Sequence, residues 1–468
     1  MTYATTNPAT GEVEARFDFI TDTAIASALD EAHDFYERDW RERPFAERAK
    51  IISAAASIMR AESDRLAELI VREMGKLLPQ AKGEVELSAN ILDYFAQHAA
   101  DYLKPRPLPE SPGATAYPLP LGVLVAVEPW NFPYYQLARV AGPQLIVGNV
   151  LIVKHASNVP QCAAAFEDVL RRAGLPAAGY RNVYATADQV GGLIDDPRVR
   201  GVTLTGSEGA GSAVASRAGH NLKKSVLELG GSDPLIVLED APFEPTLENV
   251  IWGRMNNTGQ SCVASKRLIV VGKDRGKQFL DGVAEKMAAL KAGDPMDPDT
   301  TLGPVSSESA VLGLVKQVEA AEAAGATVVT GGKRIDRPGF YMEATVVTDI
   351  EEKNPLYLQE AFGPVLSVYV VENEAEALKV ANAIPFGLGG SVFTSDLERG
   401  ERIARQIESG MAFVNHPTWT APELPFGGVK NSGYGRELSQ YGFGEFVNMK
   451  LVAVSPVGSP PPGVSAAG

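Results

Sequence analysis

The chain has 468 residues, 45% of them hydrophobic and 22% charged, with a formal net charge of −15. That length exceeds one ordinary core, so two or three lobes are expected. The acidic balance argues against nucleic acid or an anionic membrane surface as partner, since both select basic patches.

Two cysteines, Cys162 and Cys262, give no disulfide framework, and the five histidines never fall at ligand spacing, so no metal is expected. The N-terminus shows no basic segment followed by an apolar one, and no apolar run approaches the roughly 20 residues of a membrane span. The expected setting is the cytoplasm.

Residues 23 to about 103 carry apolar positions at three- and four-residue spacing and predict helices, with Gly75 as a stop. The proline-rich stretch 105–120 cannot be a helix interior and predicts an irregular hairpin. "GVLVAVEPWNFP" then predicts a buried strand ending at Pro129, followed by a helix from about Tyr134 and a second strand in "GNVLIVKHAS". "NVPQCAAAFEDVLRRAGLP" predicts a helix that Asn158 is able to cap. Strands and helices alternate through "KKSVLELGG", and a second α/β unit follows from "SDPLIVLED" onward. The fold class is therefore α/β, with a mostly parallel, doubly wound sheet and a crevice at its strand ends. The tail "SPVGSPPPGVSAAG" is low in complexity and expected to be flexible.

The chemistry gathers in a few short stretches. "TLTGSEGAG" places a strand, a glycine turn and a helix start in succession, and N–H groups at such a start favour a pyrophosphate. Gly206 and Gly211, five positions apart, do not match the common dinucleotide fingerprint, so the motif alone is weak. Lys154, at the end of another strand, adds a cation within reach of a ribose or phosphate. In "NNTGQSCVAS", Cys262 sits among small polar groups, unlike Cys162, whose apolar helix predicts inert packing. Glu228 follows Val226 and Leu227, surroundings that suit a general base, although a strand-end glutamate can also face solvent. Asn131, after Trp130 in the break between strand and helix, is placed to donate to an oxyanion or to cap the helix. A thiol, a base and an oxyanion donor beside a dinucleotide site suggest thiol addition to an aldehyde, hydride transfer to a nicotinamide and hydrolysis of the thioester.

At these residues the sequence resembles the aldehyde dehydrogenase superfamily, from "NPATGEV" to "FGGVKNSGYGREL", with "PWNFP", "LELGGSDP", "NTGQSC" and "EAFGPV" in the family's order. The resemblance implies a Rossmann-like cofactor domain, 1–104 with 121–228, and an α/β catalytic domain, 229–425. It further implies a small β oligomerisation arm with a C-terminal segment, 105–120 and 426–457, and hence a homodimer or homotetramer; 458–468 is left as tail. It casts Cys262 as nucleophile, Glu228 as base for the hydrolytic water and Asn131 as oxyanion donor. Lys154 would bond the adenosine ribose, Gly206 and Ser207 lie against the pyrophosphate, Glu360 holds the nicotinamide ribose, and Trp130 and Phe362 line the cofactor site. Where many NAD-preferring members carry a glutamate this chain has Ser157, which opens the site to NADP while leaving NAD possible; His155 is assigned to packing.

Within the superfamily, "KHASNVPQCA" and "PELPFGGVKNSGYGREL" resemble succinate-semialdehyde dehydrogenases. Arg139, eight positions after Asn131 on the same helix, faces the substrate tunnel in this reading and is able to hold a substrate carboxylate. Tyr134, Tyr135, Gln136 and the loop holding His416 and Trp419 make the remaining walls. A general or aromatic aldehyde dehydrogenase, with Arg139 structural, stays open, as does a non-catalytic relative that binds dinucleotide.

Overall fold

The computed structural model describes residues 2–460. Strands buried at nearly every position are covered on both faces, and Val123–Glu128, Val150–His155 and Val199–Thr205 are of this kind. They form the middle of a six-stranded sheet in the order Gly433–Tyr434, Lys224–Glu228, Val199–Thr205, Val123–Glu128, Val150–His155, Tyr180–Asn182. All pairings are parallel except that of Gly433–Tyr434, which the chain contributes from its far end. From Val123–Glu128 the sheet grows first to one side, through Val150–His155, and then to the other. Such a reversal opens a crevice at the carboxyl ends, where Trp130, Lys154 and Gly206 all stand.

Helix Pro133–Val147 follows directly. All of its 15 residues are buried, so it is a core helix, packed against helices Phe45–Ala61 and Leu78–Tyr102. Among the described residues no helix is long and apolar enough to cross a membrane. The helical pattern before residue 75 breaks at Glu62 into Phe45–Ala61 and Ser63–Met74, and Gly75 closes the second at φ 80°. The expected cap at Asn158 is not used. Helix Pro160–Arg172 has Val159 at its N-cap without a side-chain bond. The N–H groups of Gln161 and Cys162 go instead to the Glu73 carboxylate, each at 2.9 Å. A buried carboxylate brought from another helix displaced the local cap; it also accepts from Thr5, tying down the N-terminal hairpin Tyr3–Thr6 with Val13–Phe17.

A second, seven-stranded sheet runs Thr327–Thr330, Thr345–Thr348, Val365–Val371, Arg267–Val271, Pro234–Val237, Ser391–Phe393, Phe413–Val414, antiparallel only at its first pair. The proline-rich stretch enters a three-stranded sheet of Arg106–Pro107, Ala114–Pro120 and Val447–Ala453. Most of the tail expected to be flexible, residues 461–468, lies outside the described residues.

Candidate active site

Cys262 lies between helix Phe243–Met255 and strand Arg267–Val271. Its loop opens with Asn257, Thr258 and Gly259 in the left-handed region, at φ 55°, 54° and 75°. For Asn257 and Thr258 that backbone is strained and must be held from outside. Asn257 Nδ2 donates to the carbonyls of Asn131 at 2.8 Å and Gln260 at 3.0 Å, and its N–H donates to Gln80 Oε1 at 3.1 Å. At Gly259 a Cβ would stand 2.5 Å from the Gly363 carbonyl oxygen, so glycine is what lets the thiol loop meet the segment after Glu360. The buried Arg254 guanidinium joins the same segments, donating to the carbonyls of Gly259, Ala361 and Val365 at 3.2, 3.1 and 2.7 Å.

The Cys262 thiol borders a cavity of about 400 Å³ walled by Phe132, Tyr135, Gln136, Arg139, Trp252, Trp419, Thr420 and Phe426. Its close surroundings push the thiol pKa up to about 12 by burial, against the pull of Lys266 and then Arg139. The thiol therefore keeps its proton at neutral pH and needs an acceptor before it can attack. Lys266 is buried, bonds the carbonyls of Ser261 and Cys262, and pairs with Glu360 Oε1 at 3.0 Å. Asn131 is buried and donates one amide hydrogen to Gln260 O at 3.1 Å, which leaves the other free.

Glu228 ends its strand buried, and among the described residues neither carboxylate oxygen has a hydrogen-bond partner. Burial, then Glu437, raise its pKa well above the usual carboxylate range, while Arg139 works in the other direction. The carboxyl stands in the Arg139–Glu437 cluster, and no hydrogen bond joins it to the thiol loop. The two regions meet through the Gly230–Gly231 turn, where a Cβ on Gly231 would lie 2.5 Å from Cys262 O and one on Gly230 2.7 Å from Glu360 Oε2.

Arg139 borders the cavity, but its guanidinium is already engaged. It forms a buried ion pair with Glu437, donates to Tyr135 Oη at 3.3 Å and to Thr205 Oγ1 at 3.1 Å, and lies between the rings of Tyr135 and Phe426. Tyr135 Oη in turn bonds Thr420 Oγ1 at 2.9 Å. Tyr134, expected in the wall, is fully buried behind it and faces Cys162; one position along a helix turns a side chain by about 100°. His416 is itself exposed and meets Trp252 and Trp419 edge to face outside the cavity wall, the two tryptophans being 41% exposed.

The residues read as cofactor-binding gather at the carboxyl edge of the first sheet and in the loop facing it. Lys154 is largely buried, 5.7 Å from the Tyr3 ring; burial lowers its pKa, and no carboxylate pairs with it among the described residues. A cation in that state fits an anionic group of a ligand. Ser157 stands three positions further on. His155 contributes no charge: burial brings its pKa down to about 4, Nε2 lies 3.0 Å from Pro133 O, and Nδ1 accepts from Ala156 N. Gly206 donates its N–H to Glu228 O at 2.9 Å, and Ser207 caps helix Glu208–His220. Trp130 and Phe362 meet edge to face, 5.8 Å between centroids.

The sequence pattern of the aldehyde dehydrogenase family matches residues 1–452. The chain belongs to the aldehyde dehydrogenase family. A succinate-semialdehyde dehydrogenase [NADP(+)] of Deinococcus radiodurans is 47% identical over 98% of this chain and 96% of its own length. One of Mycobacterium tuberculosis is 45% identical over 97% and 100%. Among solved structures, succinic semialdehyde dehydrogenase from Streptococcus pyogenes in complex with NADP+ superposes with a TM-score of 0.95 at 44% identity, covering 97% of this chain and all of that one.

Several residues of this site escaped the sequence reading. Glu437 lies within a stretch recognised as a motif and Thr420 within the loop assigned to the cavity wall, where their type alone gave no role. Lys266 and Arg254 look like ordinary charges at the ends of a strand and a helix, and only burial distinguishes them.

Proposed function

We propose that the protein oxidises succinate semialdehyde to succinate with NADP, using Cys262 as nucleophile. The observation that carries this reading is one cavity with the thiol on its border and the Arg139–Tyr135–Thr420 chain in its wall, a cationic and hydroxyl-bearing surface for the substrate's carboxylate. Its relatives bear the same substrate and cofactor in their names.

Cys262 gives its thiol proton to solvent water, Sγ adds to the aldehyde carbon, and the developing oxyanion accepts a hydrogen bond from the free amide N–H of Asn131. NADP, when bound, supplies the acceptor for the hydride that leaves the thiohemiacetal carbon. Glu228 then removes a proton from a water molecule, whose oxygen attacks the Cys262 thioester; succinate leaves and the thiol is restored. On the cofactor side, Lys154 and Ser157 hold the adenosine ribose with its 2′-phosphate, Gly206 and Ser207 lie against the pyrophosphate, Glu360 holds the nicotinamide ribose, and Trp130 and Phe362 flank it. Ser157→Glu places a carboxylate against the 2′-phosphate. It is expected to lower kcat/KM with NADP by roughly ten- to a hundredfold, the ~1.5–3 kcal/mol of a hydrogen bond to a charged group, and to favour NAD. Initial rates with both cofactors check this.

One observation favours a second reading, a general or aromatic aldehyde dehydrogenase: Arg139 is already paired with Glu437 and bonded to Tyr135 and Thr205, and the cavity rim is the Trp252–Trp419 pair. Initial rates with succinate semialdehyde, butanal and benzaldehyde decide between them. The first reading expects the semialdehyde to lead in kcat/KM by tenfold or more, and equal rates with butanal would overturn it. We assign the strand Val447–Ala453 to a homodimer or homotetramer interface, because this unpaired edge exposes Met449 and Leu451.

A further inference from the structure

Behind Asn131 stands a charged pair that the chemistry above does not use. Lys76, in the turn between helices Ser63–Met74 and Leu78–Tyr102, is 1% exposed and pairs with the equally enclosed Glu84. Its ammonium donates to Asn131 O at 2.9 Å and sits 3.6 Å from the centroid of the Phe132 ring. Glu84 Oε1 accepts the N–H groups of Tyr134 at 2.9 Å and Tyr135 at 3.3 Å, which are orphan donors in the first turn of helix Pro133–Val147. The Asn131 carbonyl thus receives Lys76 on one side and Asn257 Nδ2 on the other, while its own amide donates to Gln260 O.

A buried ion pair contributes little net stability once both ions have lost their water. Burial alone drives the Lys76 pKa down, and the Glu84 charge offsets this. Packing does not explain such a pair, but its partners do. Among the described residues, every side-chain hydrogen bond that it makes outside itself goes to the backbone from Asn131 to Tyr135. An oxyanion donor must stand about 2.7–3.1 Å from the oxygen it stabilises, and a misplacement of about 1 Å costs on the order of a hundredfold in rate.

We propose that Lys76 and Glu84 are positioning residues for the Asn131 amide, fixing the turn and the helix start from which it reaches the oxyanion. This rests on the reading of Asn131 as oxyanion donor, and the test separates the two.

The test compares Lys76→Met, Glu84→Gln and Asn131→Ala in the full-length enzyme. It reads kcat with succinate semialdehyde and NADP, and the rate of Cys262 alkylation by iodoacetamide, which displaces iodide and builds no oxyanion. Each pair variant is expected to lose about ten- to a hundredfold in kcat with alkylation unchanged within twofold. Asn131→Ala is expected to lose about 10²–10³, and Lys76→Met added to it to cost nothing further, as residues acting through one group are non-additive. A kcat within twofold of wild type in Lys76→Met, alkylation falling in step with kcat, or additive losses in the double variant overturns the positioning role. Full activity in Asn131→Ala overturns the donor and the proposal with it. Should Lys76→Met not fold, Glu84→Gln keeps the shape and the acceptor, and the Lys76→Met/Glu84→Gln double variant leaves no lone buried charge; the same outcomes apply to both.

Discussion

Glu228→Gln is expected to stop the enzyme after one turnover: kcat falls by about 10²–10⁴, the usual worth of a general base, while a burst of NADPH close to one per Cys262 survives. The structure sets Glu228 apart from the hydrogen-bond network of the thiol loop, in a buried cluster where neither of its oxygens has a partner among the described residues. In the proposed mechanism this carboxylate acts on a water molecule, and only the hydrolytic step requires one. Stopped-flow nicotinamide absorbance separates the steps. An absent burst would show that Glu228 also takes the thiol proton, and unchanged kcat would remove it from the mechanism. In the wild type, burial first and Glu437 second hold the Glu228 pKa well above its ordinary 4.5. Turnover should therefore climb with pH as this carboxyl loses its proton, and Glu228→Gln should lack that limb. The same shift bears on stability. As pH rises past 4.5 the unfolded chain releases a proton that the folded chain still binds, so stability falls from there up to the folded pKa. The Gln variant removes that part of the pH dependence, which melting temperatures across a pH series will show.

The strand–helix alternation and the crevice were legible because buried parallel strands are short apolar runs and the turns between them are marked by glycine and proline. Of the residues nominated from local context, Cys262 among small polar groups borders the cavity, and Asn131 in the strand–helix break lies beside Phe132 and bonds Gln136, which both line it. What could not be read were contacts made at a distance in the chain. Glu73 serves as the cap that Asn158 was expected to be, and Lys76 and Glu84 bolt down Asn131 from 55 and 47 positions earlier. A lysine and a glutamate eight apart near a helix start have the pattern of a solvated surface; their burial arises only when helix Pro133–Val147 is laid over them. Tyr134 and Tyr135 show the same limit on a smaller scale, since adjacent tyrosines are alike in sequence and face opposite environments in the fold.

Arg139→Met is expected to have two separable consequences. The first concerns the substrate. A guanidinium has five N–H groups; Tyr135 and Thr205 accept from two of those on Arg139 and Glu437 pairs with its Nε, which leaves two that the proposed carboxylate clamp would use. Their loss should lower kcat/KM for succinate semialdehyde by about a hundredfold or more, since a buried pairing of charged groups is worth several kcal/mol, and leave butanal nearly unaffected. The second concerns the fold. Glu128, Glu228 and Glu437 are all buried around this one cation, and each is already pushed toward the protonated form, by burial above all. Removing the cation leaves the Glu437 charge unpaired, at a cost of about 3–5 kcal/mol. The carboxylates can escape that cost by taking up protons, so the destabilisation should be small near pH 5 and grow toward pH 8. Arg139→Lys, which keeps the charge but not the fork of donors, should restore most of the melting temperature and little of the substrate preference. Equal losses with butanal and the semialdehyde would assign Arg139 to the charge cluster alone and leave the substrate carboxylate without its clamp.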